Sequence, residues 1–161
     1  MTDLTPDPAP VRYAGIVTRT VAFGVDALVV DGIAIILGGV VTLVASVFGH
    51  QGQISLVGAV FGAAAWIVWG GVYFVTFWML TGQTPGGRML GIRVTGEAGG
   101  RLGLMQAVRR VIGLTLALLP LGAGFLPILT DERRRGFHDR FAHTVVRWVD
   151  DDDTRRTRRQ R

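Results

Sequence analysis

A chain of 161 residues that is 49% hydrophobic, 18% charged and rich in glycine (23 residues) carries too little charge for an average soluble domain and is long enough for one domain only. It has no cysteine, which excludes a disulfide framework and a thiolate metal site. Its net charge of +5 rests on 17 basic residues, every one an arginine.

Residues 1–13, MTDLTPDPAPVRY, are polar, proline-rich and aperiodic, and read as a disordered lead into a membrane domain over 14–148. The first apolar run covers about 20–48, and from 20 to 49 its only ionisable side chains are Asp26 and Asp31. About 20 apolar residues cross a bilayer as a helix, so this is a spanning helix that carries carboxylates. Charge at that depth costs roughly 2.5 to 3.5 kcal/mol on insertion scales, so Asp26 and Asp31 are expected to face a partner, a bundle interior or water. The run is too long and too charged for a cleaved leader, so it is read as a retained helix.

The second run, 54–80, has no charged residue and is the clearest span. A short polar link makes the two runs an antiparallel helical hairpin. Gly58, Gly62 and Ala65 form a small-residue stripe suited to close packing within the monomer or against a second copy or another membrane protein. Trp66, Trp69, Tyr73, Phe77 and Trp78 read as packing and as an aromatic belt.

From 81 to 103 the chain turns to Gly, Pro and Arg and leaves the hydrocarbon. Leu90, Ile92 and Val94 alternate with Gly91 and Arg93, and the turn residues of 96–100 follow, a pattern that predicts a small interfacial β-hairpin. Gly82, Gly86 and Gly87 match no phosphate-binding spacing and read as a flexible turn. A third apolar run, 111–130, is interrupted by Pro120, Gly122, Gly124 and Pro127, so it is either a broken span or a re-entrant segment. The tail, 149–161, combines four Asp with five Arg and reads as disordered. The expected fold is thus an all-α integral membrane protein: two long transmembrane helices, a broken third segment and a small β-hairpin.

Three pieces of this chain resemble the RDD family of bacterial membrane proteins, named for one Arg and two Asp. Arg19 and Asp26 stand seven residues apart at the start of the first span, GQTPGGRMLGIRV occupies 82–94, and RRRGFHDRFAHTVV at 133–146 supplies Asp139 as the second signature Asp. The resemblance implies a cell-membrane protein for which transport, including cation or proton exchange, is the role usually proposed. Asp31 lies outside the signature.

On one helix Arg19 and Asp26 share a face about 10 Å apart along the axis, whereas Asp31 lies about 140° around from Asp26. Two functions therefore stand open. One is transport of a cation or proton past Asp26; the other is a non-transporting scaffold or partner module in which Arg19, Asp26 and Asp139 form a structural ion-pair network. Asp31 is a secondary candidate, with a solvated or helix-paired carboxylate as the plainer alternative. His138 and His143 are five apart, unlike the i, i+4 pair of a zinc helix, so no metal or other cofactor is expected. Neither an enzyme nor a nucleic-acid binder is expected, because no nucleophile constellation appears and the Arg-rich segments lack interleaved aromatics.

Sidedness follows from arginine. Residues 49–53 have none, 81–110 have five and 1–19 have two, which puts the N-terminus in the cytoplasm. The ten Arg after residue 130 obey the same bias if the third run turns at 121–124 and returns, giving a cytoplasmic C-terminus.

Overall fold

The computed structural model describes residues 11–48 and 56–149. Its elements are α1 (Ile16–Val47), α2 (Leu56–Leu80), α3 (Pro85–Met89), β1 (Ile92–Gly96), α4 (Leu104–Leu118), a 3-10 turn (Ala123–Phe125), α5 (Pro127–Thr130), α6 (Phe137–Ala142) and β2 (Thr144–Trp148). The link between α1 and α2, most of the expected lead and nearly all of the tail lie outside the described residues.

Two of these helices, α1 with 32 residues and the 23-residue stretch Gly58–Leu80 of α2, are long and apolar enough to cross a membrane. Their apolar side chains face outward: Ile35, Ile36 and Leu43 on α1, and Phe61, Ile67 and Val68 on α2, are all exposed. In water this would leave a very large apolar surface uncovered. The helices pair antiparallel, since Phe23 stacks on Phe74 at 5.5 Å while Val30 meets Gly70 and Asp31 meets Trp66 further along. That is the expected helical hairpin. Among the described residues nothing lies within 4 Å of where a Cβ of Gly62 would stand, so at that position the small-residue stripe packs closely against none of them.

The remainder forms a body against the start of α1 and the end of α2. Its core joins Ala14, Ala22, Trp78, Ile92, Ala107 and Val146. The β-hairpin expected after Leu90 is corrected. β1 forms where the alternation placed it, but its partner is β2, antiparallel, with Ile92 opposite Trp148 and Gly96 opposite Thr144. Residues 96–100 do turn, through Gly99 N–H to Gly96 C=O at 2.8 Å. The chain beyond, however, buries Leu102 and starts α4 instead of returning as a strand. Arg12 and Tyr13, expected in the disordered lead, lie along the other edge of β2: Tyr13 bridges Arg147, and Ala14 N–H donates to Val146 C=O at 3.0 Å.

The third apolar run is not one straight helix. α4 has 15 residues, about 22 Å, short of the roughly 30 Å hydrocarbon core. It ends where Leu121 and Gly122 adopt left-handed φ values of 52° and 81°. The chain then doubles back: a Cβ on Gly124 would stand 2.5 Å from that of Ala117. α4 and α6 cross so closely that a Cβ at Gly113 would lie 2.9 Å from His138 Cα.

Gly113→Ala should therefore force α4 from α6 and lower stability by about 1 to 3 kcal/mol. Gly24→Ala, on α1 with nothing within 4 Å, should leave stability unchanged or slightly raised; thermal unfolding in detergent compares the two, and equal effects would contradict this packing.

Candidate functional site

Asp139 stands in the first turn of α6 and is fully buried, at 0% exposure. Its carboxylate accepts from Gly136 N–H at 3.0 Å, from Arg19 Nη1 of α1 at 2.5 Å and from Arg110 Nη1 of α4. Arg110 also donates to Thr144 Oγ1 at 2.6 Å and lies over the Trp78 ring at 4.9 Å. Arg19 Nε donates to Ala14 C=O at 3.1 Å. Burial pushes the Asp139 carboxyl up, but the Arg110 and Arg19 guanidiniums more than reverse that and hold it well below the usual carboxylate range. One carboxylate thus ties α1 and α4 to α6, and Arg110 extends the contact to the start of β2.

Asp26 belongs to a second network. It is 2% exposed and accepts from Tyr73 Oη at 3.0 Å, from Gly86 N–H at 2.8 Å and from Thr84 Oγ1 at 2.5 Å. Thr84 is the N-cap of α3, accepting from Gly87 N–H at 3.1 Å, and Pro85 follows at the first helical position. Gly86 has to be glycine for this contact, because a Cβ there would stand 2.1 Å from Ala22 C=O. The segment expected as a flexible turn is thus a capped helical turn seated on α1.

These contacts correct the direct Arg19 and Asp26 pair. The two residues do share a face of α1, but donors from α2 and α3 reach Asp26, while Arg19 turns to Asp139 and the Ala14 carbonyl. Asp31 stands apart, half-buried, accepting from Trp66 Nε1 at 3.1 Å; it is the helix-paired carboxylate of the plainer reading.

A cavity of about 380 Å³ joins the networks, with Arg19, Asp26, Thr84, Arg110 and His138 in its wall. Four of the polar residues here are not read as members of this site from the sequence, where His138 is weighed only as a metal ligand. Tyr73 reads as belt, although it is 7% exposed and bonded to Asp26. Thr84-Pro85 is a helix-start signal that the glycines around it obscure. Arg110 is in line with Ala107, Gly113 and Ala117, a buried stripe of α4 whose small residues mark it as a packing face. His138 is 3% exposed against Phe125, where burial chiefly, with Arg110 and Arg19 adding to it, lowers its pKa to about 4 despite Asp139.

His138 is therefore neutral in the folded protein and protonated below about pH 6.5 once unfolded. Stability should fall as pH drops from about 6.5 to 4, by roughly 3 kcal/mol over that window. His138→Gln should flatten this part of the profile; unfolding measured at pH 7 and pH 4.5 on both proteins decides it, and parallel losses would exclude His138 as the cause.

No curated protein and no solved structure matches the chain. A family model does, over residues 13–143, a stretch that contains Arg19, Asp26, Tyr73, Thr84, Arg110 and Asp139. The chain belongs to the RDD family.

Proposed function

We propose that this is an integral protein of the cell membrane, crossed by α1 and α2, in which the Arg19–Asp139 ion pair and the separate hydrogen-bonded network of Asp26 are structural and clamp the small body to the helical hairpin. The observation that carries this reading is the saturation of the buried carboxylates. Asp139 is held by Arg19, Arg110 and Gly136, and Asp26 by donors from α2 and from the α3 segment. Removing one partner of such a pair leaves the other charge buried and costs about 3 to 5 kcal/mol. The module then works as a membrane scaffold, and Gly62 with exposed Ala65 provides a face for a second copy or another membrane protein.

The second reading, transport of a cation or proton past Asp26, is favoured by the cavity in which Asp26 and Arg19 share a wall. Asp139→Asn and Asp26→Asn separate the two readings, with melting in detergent and proton and sodium flux in liposomes as measurements. The structural reading expects both variants to melt lower, partial recovery in Asp139→Asn combined with Arg19→Gln, and no wild-type flux above empty liposomes. Wild-type flux that Asp26→Asn abolishes, with the amount of folded protein unchanged, establishes transport instead.

The same reading places both termini in the cytoplasm. It is supported by the arginine distribution, by the reversal after α4 and by the contact of Asp139 with Arg19 at the start of α1. An alkaline phosphatase fusion after Trp148 should be inactive; strong activity would put the C-terminus outside.

A further inference from the structure

We infer that the cavity beside Asp139 is a binding site for an anionic phospholipid, with the phosphate at Arg19 and Arg110 and one acyl chain in the apolar part. Among the described residues, three buried nitrogens of side chains in its wall have no hydrogen-bond partner: Arg19 Nη2, Arg110 Nε and His138 Nδ1. All three side chains line the cavity, and Arg110 and His138 are 4% and 3% exposed. A buried donor without an acceptor is destabilising, the more so when charged, so an arrangement with two guanidinium donors idle calls for an acceptor from outside the chain.

Charge gives the sign of that acceptor. Arg19 and Arg110 share the one carboxylate of Asp139, and a third guanidinium, Arg134, approaches at Gly15, leaving the cluster with excess positive charge. Asp26, the other acid of the wall, is already engaged by Tyr73, Thr84 and Gly86. Guanidinium N–H groups suit phosphate oxygens in geometry and charge.

The remainder of the wall is apolar, including Phe23, Phe74, Leu114, Leu118 and Phe125. Phe23 and Leu118 are also exposed on the outer apolar surface, so the cavity reaches the face that the bilayer covers. Its volume of about 380 Å³ is in the range of ligand sites, roughly 300 to 1,000 Å³. Depth agrees as well: α1, at 32 residues, is about 48 Å long against a core of about 30 Å, so its first turns reach headgroup level.

This inference rests on the membrane placement proposed above, which carbonate extraction tests separately. The full-length protein, purified in neutral detergent, is titrated by native mass spectrometry with dioleoyl phosphatidylglycerol, dioleoyl phosphatidylcholine, oleate and inorganic phosphate. Phosphatidylglycerol should bind saturably and about tenfold or more tighter than phosphatidylcholine, which has the same chains. Leu114→Trp, which fills the apolar part without touching the ion pairs, should weaken phosphatidylglycerol by about tenfold or more; if it does not fold, Phe125→Trp replaces it. Equal affinity for the two phospholipids overturns the site, as does binding unaffected by a folded cavity-filling variant. Oleate binding tighter than phosphatidylglycerol, or displacement of the lipid by equimolar phosphate, overturns the assignment of a phospholipid as occupant.

Discussion

A carboxylate with no access to solvent has to be matched by positive charge, and the arrangement of this protein depends on how Asp139 is matched. Its partners come from the first helix and from α4, so neither helix can move relative to α6 without leaving a charge buried and unpaired. The Thr144 hydroxyl draws the start of β2 into the same contact through Arg110. The sheet, α4 and α1 are thereby fixed on one another by a group that contributes no apolar area.

Asp26 solves a related problem differently. With no ion pair among the described residues, it takes hydrogen bonds from a phenol, a threonine hydroxyl and a backbone amide, and so holds the chain where it leaves α2. Asp26 lines the cavity and is held by neutral donors, whereas Asp139 acts on it through ion pairs with Arg19 and Arg110 of the cavity wall. Close approach in both regions relies on glycine: Gly86 against Ala22, and Gly113 against His138.

Much of this was legible from residue pattern. Length and apolarity located both long helices, and the proline and glycine cluster at 120–127 marked the reversal after α4. Helical spacing put Arg19 and Asp26 on one face but could not choose between each other and tertiary donors, because those come from residues 47 or more positions distant, such as Tyr73. The same limit explains the misplaced hairpin. A strand edge at Ile92–Gly96 is visible locally, whereas its partner at Thr144–Trp148 follows a long, mostly helical stretch. Arg110 was hidden beside Arg109; only the buried stripe through Ala107, Gly113 and Ala117 distinguishes the arginine that points inward.

The pairing of β2 with both β1 and Tyr13 carries a consequence for biosynthesis. Arg19 and Arg110 leave the ribosome well before Asp139, and β1 and the Tyr13 segment wait longer still for the strand between them. During translation the first two helices can form while the body beside them has neither its counterion nor its central strand. Assembly of the body thus waits for the segment from Asp139 to Trp148, and a chain interrupted before Asp139 exposes unpaired guanidiniums and an open strand edge, features by which quality-control machinery can distinguish it from the finished protein.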